Sequence, residues 1–85
     1  MYVHLGGEVT VSSDTLISVI DLETVPPSLR TVSDLIASEE EKNRLQYISG
    51  DIPKSLIITR DRTYVSPISV GVLRKRTENG TIDIM

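Results

Sequence analysis

PKSLIITRDRTYVSPISVGVLRKR, residues 53–76, holds most of what decides the fold. Ser55-Leu56-Ile57-Ile58-Thr59 is a β-favouring run, and Thr63-Tyr64-Val65-Ser66 is a second. Asp61-Arg62 stands between them at hairpin spacing. Pro67 stops the second strand. Ser69 then stands where it can cap a short helix that buries Val70 and Leu73 and ends in Arg74-Lys75-Arg76. Gly71 weakens that helix by about 1 kcal/mol relative to Ala.

Working back toward the N-terminus, Leu45-Gln46-Tyr47-Ile48 reads as a strand, ended by Ser49-Gly50-Asp51 and Pro53. Leu29, Val32, Leu35 and Ile36 fall at helical spacing and predict one buried stripe. Pro26-Pro27 bars any element from running into that helix. Ser28 or Thr31 can cap it, and Thr31 with Asp34 resembles a capping box. Glu39-Glu40-Glu41 lies near its end, where the macrodipole disfavours acids. That run reads as a solvated face. Leu16–Leu22 is apolar on both alternating faces and predicts a central strand, reached through the polar connector Ser12-Ser13-Asp14. Tyr2–Leu5 and Glu8–Val11 flank Gly6-Gly7, which suits a two-residue hairpin.

These elements read β-β-β-α-β-β-β-α. The expectation is a small single α+β domain over residues 1–76: an N-terminal β-hairpin, a central strand, one main helix, further strands and a short C-terminal helix. Residues 77–85 form a C-terminal tail, either a flexible end or a short edge strand through Ile82 and Ile84.

Composition narrows the function. The chain has 85 residues, no Cys, no Phe or Trp and three Tyr. So few aromatics leave little for a base-stacking platform. Without Cys there are no disulfides, thiolate zinc sites or cysteine nucleophiles, which fits a reducing cytosol. No segment reaches the length of a membrane span, and Met1-Tyr2-Val3-His4 lacks the regions of a signal peptide. The expected location is cytoplasmic. His4 is the single histidine and reads as a strand-surface residue. It has no second His with which to build a common zinc site. Asp21 and Glu23 read as exposed strand-end acids. Gly6-Gly7 precedes a β-run and matches no phosphate-binding loop. Nothing here supports catalysis, a metal or a cofactor.

Charge is the strongest functional signal. Residues 1–41 hold eight acids and the single base Arg30; the remaining residues hold eight bases and four acids, and the net is −3. Lys54, Arg60, Arg62, Arg74, Lys75 and Arg76 cluster in the second half with Asp61 as the only acid among them. Part of this is ordinary, since bases at a helix C-terminus complement the dipole by about 0.3–1 kcal/mol each. The functional reading is a surface for backbone phosphates, giving affinity without base identity. About six cations per copy would bind DNA weakly, so repetition in an oligomer belongs to that reading. The other reading pairs the acidic half of one copy with the basic half of a neighbour or partner.

Three stretches carry a family resemblance: MYVHLGG at the start, PKSLIIT at Pro53–Thr59, and YVSPIS at Tyr64–Ser69 followed by LRKR at Leu73–Arg76. In that order and spacing the chain resembles the RemA/RemB family of bacterial extracellular-matrix regulators, more closely its RemB branch. The resemblance spans Met1 to Arg76. It implies a cytoplasmic bacterial protein with a LytTR-like protomer fold and homo-oligomeric, ring-shaped assembly. It also implies double-stranded DNA as a partner in biofilm gene regulation. RemA-type members carry DNA-binding arginines in the loop after the first hairpin and in the loop before the strand matching Ser55–Thr59. Those places hold Thr15, Asp51 and Ile52 here. Any DNA contact would therefore fall to Lys54, Arg60, Arg62 and Arg74–Arg76. The alternative is a module that acts on a RemA-like partner without touching DNA.

Overall fold

The computed structural model describes residues 2–76. Its elements run β1 (Tyr2–Gly6), β2 (Val9–Ser12), β3 (Leu16–Asp21), α1 (Arg30–Glu41), β4 (Leu45–Tyr47), β5 (Ser55–Thr59), β6 (Thr63–Ser66) and α2 (Val70–Arg76). This is the expected α+β order. The tail over residues 77–85 lies outside the described residues.

β1 and β2 form an antiparallel hairpin, and the other four strands form one sheet in the order β3-β5-β6-β4. β3–β5 and β5–β6 are antiparallel, whereas β4 joins β6 in parallel. A parallel neighbour cannot be reached by a tight turn. Here the chain leaves β3 at one edge, passes through α1 and enters β4 at the other. β3 is thus an edge strand, not the central one its apolar run predicts. Its neighbouring residues serve different layers, Val19 one and Ile20 the other, while Ile17 is half exposed; β5 and β6 hold the interior of the sheet.

β5 divides the core. Ile57 packs with Val3, Leu5, Val19, Val70 and Leu73, against the hairpin and α2. Its neighbour Leu56 points the other way, with Ile20, Leu22, Val32 and Val65, under α1. Both are fully buried. Alternation along one strand therefore feeds two apolar layers.

Serine and threonine inside these strands are buried because their hydroxyls hold segments together. Ser66 Oγ donates to the Leu5 carbonyl at 2.6 Å and accepts from the Ile68 N–H at 3.0 Å. Ser55 Oγ donates to the Ile68 carbonyl at 2.8 Å. These bonds fasten the hairpin and the entry to α2 onto one end of the sheet. Among the described residues no buried side-chain polar atom lacks a partner.

The hairpin turn sits one residue later than expected, at Gly7-Glu8, because β1 continues to Gly6 through an irregularity between His4 and Gly6. Gly6 has φ +119°, and an added Cβ would lie 3.2 Å from Ile68 Cδ1. Strain and crowding act together there, so Gly6→Ala is expected to cost about 2 kcal/mol. A urea unfolding midpoint equal to the parent's would disprove this.

α1 begins without either expected cap. Leu29 is its N-cap residue, with no side-chain hydrogen bond. The turn after Pro26 bonds Leu29 N–H to the Pro26 carbonyl, so Ser28 falls before the cap and Thr31 already lies inside the helix. Leu29 is accordingly half exposed rather than part of the buried stripe, while Val32 is buried and Leu35 and Ile36 are partly so. No helix among the described residues is long and apolar enough to cross a membrane.

Candidate functional site

The C-terminus of α1 folds back through a Schellman motif. Arg44 N–H reaches the Glu39 carbonyl at 2.8 Å, and Asn43 N–H reaches the Glu40 carbonyl at 3.0 Å. Asn43 sits at φ 58°, the left-handed position that such a cap requires and that asparagine tolerates. The motif brings residues C3 and C″ side by side, usually as an apolar pair. Here they are Glu39 and Arg44, joined at 3.2 Å.

Glu39 is buried, contrary to the solvated face predicted for the triple-glutamate run; Glu40 and Glu41 are exposed. Its other oxygen accepts from Thr63 Oγ1 at 2.6 Å. That hydroxyl does most to hold the carboxyl below the ordinary carboxylate range. Burial pushes the other way, and the charges of Arg44 and Lys42 add to the lowering. A negative charge at the wrong end of a helix is thus neutralised locally rather than left to water.

Arg44 also reaches the carbonyls of Thr59 and Arg60, at 3.4 and 3.2 Å. It therefore lies under the β5–β6 turn. Thr59 shapes that turn, since its hydroxyl donates to the Arg62 carbonyl at 2.6 Å and accepts from the Arg62 N–H at 3.0 Å. Arg60 Nη2 donates to the Asp14 carbonyl at 2.7 Å, across to the 3-10 turn Ser13–Thr15. Arg62 Nη1 donates to Gln46 Oε1 at 3.0 Å. The result is an end of the sheet that presents Arg60 and Arg62, with Arg44 beneath and Lys42 at the end of α1, among the exposed acids Asp14, Glu40, Glu41 and Asp61.

The acceptors matter. Arg60 and Arg62 rest on neutral oxygens, a carbonyl and an amide, and both residues are exposed. Arg76 does the same at the end of α2, donating to the His4 carbonyl at 2.8 Å and lying 3.4 Å from His4 Nδ1. A guanidinium has five donors, so one neutral contact orients it while leaving its charge and most donors available. By contrast Arg44 is paired with Glu39, and Arg30 makes a loose exposed pair with Asp34 at 3.8 Å. His4 is the exposed strand residue expected, with Nε2 on the Gly7 carbonyl at 2.8 Å.

The six cations singled out in sequence do not share one place. Lys54 lies at the opposite end of β5 from Arg60, roughly 20 Å away at strand rise. Its backbone is tied to Ser66 and Leu22. Arg74, Lys75 and Arg76 are exposed on α2, whose first turn lies by the Ser55–Ile68 bond near Lys54 and whose last residue reaches β1. Sequence reasoning left Lys42 and Arg44 out of the basic cluster and read Glu39 as solvated. The signal was present: Asn43 just past a helical pattern, with an acid and a base at the two Schellman positions.

Of the three residues that the resemblance sets at family arginine positions, Thr15 is occupied in holding the 3-10 turn, its hydroxyl donating to the Ser12 carbonyl at 2.7 Å. Asp51 closes a local turn with Ser49. Ile52 is 82% exposed.

No protein-family model matches the chain. The chain is similar to extracellular matrix regulatory protein B of Bacillus subtilis (strain 168), 26% identical over 78 residues that cover 92% of this chain and 91% of the relative. The resemblance to RemB is therefore borne out and runs nearly end to end.

Proposed function

We propose that this chain is a homo-oligomeric regulator of the RemA/RemB type that holds duplex DNA through its phosphate backbone. The observation that carries this is the pair Arg60 and Arg62 at the β5–β6 end of the sheet, positioned by neutral acceptors and so keeping their charge for a polyanion. The likeness to a protein named as an extracellular matrix regulatory protein supports a regulatory role rather than a catalytic one. Arg74, Lys75 and Arg76 extend the contact. Lys54, at the far end of β5, meets the same duplex through a neighbouring copy. Regulation at DNA in a bacterial cell makes the site of action the cytoplasm. Sequence preference arises from DNA shape, because these contacts read no base edges.

Titration of double-stranded DNA by mobility shift at several salt concentrations tests this. Binding is expected at low salt, falling steeply as salt rises. The double variant Arg60→Gln, Arg62→Gln is expected to weaken binding about tenfold or more and to flatten the slope of log affinity on log salt by about 1–2. Absence of binding at low salt, or an unchanged slope in the double variant, would overturn the assignment.

A second reading is favoured by Thr15, Asp51 and Ile52 and by the net charge of −3. In it the chain assembles with itself or a RemA-like partner and touches no DNA. Assembly without any mobility shift would select this reading.

A further inference from the structure

The β5–β6 turn is fastened from beneath, from within and from the side. Beneath it, the Arg44 guanidinium spreads over several acceptors: Nε donates to Glu39 Oε2 at 3.2 Å, and Nη2 to the carbonyls of Thr59 and Arg60 at 3.4 and 3.2 Å. The Arg44 backbone is tied as well, its N–H to the Glu39 carbonyl and its carbonyl to the Thr63 N–H, both at 2.8 Å. Within the turn, Thr59 N–H reaches the Arg62 carbonyl at 3.0 Å, and the Thr59 hydroxyl bonds both the N–H and the carbonyl of Arg62. At the side, Arg60 N–H reaches the Thr15 carbonyl at 2.9 Å. All of these hold main chain, whereas Asp14 and Gln46 receive only the side chains of Arg60 and Arg62.

We propose that Arg44 and Thr59 are positioning residues for the phosphate contacts: they touch no DNA and act by holding the turn that carries Arg60 and Arg62. This role rests on the reading of that turn as a phosphate contact. Summed charge does not make this end of the sheet a polyanion site, because the exposed acids Asp14, Glu40, Glu41 and Asp61 share it. What favours a phosphate is the placing of each guanidinium, since a short charge-assisted bond outweighs charges held farther away. A turn that has to be ordered on binding loses affinity to the freedom it gives up, and a turn ordered beforehand does not. Arg44 suits the bracing and not the contact. Its side chain is about one-third exposed, and Glu39 answers its charge. Its planar fork serves several acceptors at once, which the single ammonium of a lysine does not match.

Mobility-shift titration of double-stranded DNA over a salt series, with the full-chain variants Arg44→Lys and Thr59→Val, tests this. Arg44→Lys keeps a cation beside Glu39 and loses the fork. Thr59→Val keeps the shape of a buried residue and loses the hydroxyl. Neither alters the charge of the protein. Each is expected to weaken DNA binding about three- to tenfold, by the same factor at every salt concentration, so that the slope of log affinity on log salt stays that of the parent. Loss of Arg60 and Arg62 changes that slope; loss of their bracing does not. In the free variants, backbone amide order parameters over residues 60–62 should fall from the rigid range toward about 0.6 by NMR relaxation.

Folded variants that bind DNA like the parent would overturn the positioning role and leave the phosphate contacts standing. Weakening in Arg44→Lys alone, with Thr59→Val like the parent, would make Arg44 a contact in its own right and equally overturn it. Weakening that matches the unfolded fraction seen by circular dichroism in the binding buffer would reduce both residues to structural supports. A parent that shifts no DNA at any salt concentration would overturn this role together with the proposed function.

Discussion

Replacing Ile57 by alanine is expected to lower the free energy of unfolding by about 4 kcal/mol, the largest effect of any single change considered. Ile57 is fully buried in the central strand and touches the layer built by Val3, Leu5, Val19, Val70 and Leu73. Truncation removes the transfer energy of three carbons and leaves a cavity, which together cost about 2–5 kcal/mol in tightly packed sites. Collapse is restricted here because a sheet backs the site on one side and a hairpin and helix close the other. A domain of this size holds only about 5–10 kcal/mol in total, so the variant stands near the limit of folding. Thermal melting should show a fall of at least roughly 15 °C. A fall below about 5 °C would mean that the layer repacks freely, contrary to the geometry described.

The second large effect concerns Glu39. Glu39→Ala is expected to cost about 2–3 kcal/mol. The change strands a buried Thr63 hydroxyl and removes the carboxylate partner of Arg44. The Arg44 side chain is about one-third exposed, so water softens its loss and keeps the figure at the lower end for broken buried pairs. Glu39→Gln keeps an acceptor for Thr63 and should cost less. Acid should mimic the same loss. The folded pKa of Glu39 is lowered, so the unfolded chain binds its proton first as pH falls. The stabilisation is complete above the ordinary carboxylate range, declines below it, and is gone once pH passes the lowered folded value. Glu39→Gln should therefore flatten the acid limb of stability against pH. An acid limb identical to the parent's would remove Glu39 from this role.

Much of this fold was legible in the residues. Runs such as Ser55–Thr59 and Thr63–Ser66 carry β-propensity and turn spacing together, and local chemistry agreed with the tertiary outcome. Where expectation failed, a long-range contact decided. The apolar pattern of Leu16–Leu22 reports buried residues on both faces, as Val19 and Ile20 are, but it cannot report who lies beside the strand. Leu29 had the right spacing for the stripe, yet the double-proline turn placed it at the entry of α1. Glu39 looked like one of three equivalent acids until Thr63, twenty-four residues later, supplied a hydroxyl. The site shows the same limit. Residue types marked Arg60 and Arg62 as cations, but only the fold shows that Asp14 and Gln46 aim them. It also shows that Lys54, six residues from Arg60, stands at the other end of the sheet.

The path of α1 from one sheet edge to the other bears on how the chain reaches this state. β1–β2 and β5–β6 join neighbours in sequence and close small loops, so they can form early and cheaply in chain entropy. β3–β5 must wait for separations of 34 to 43 residues, with α1 carried across the sheet in between, whereas β4–β6 closes only 18. The last strand to dock is then the β3 edge. Until it does, the β5 flank of the hairpin stays open, and the chain is most exposed to pairing with the wrong molecule.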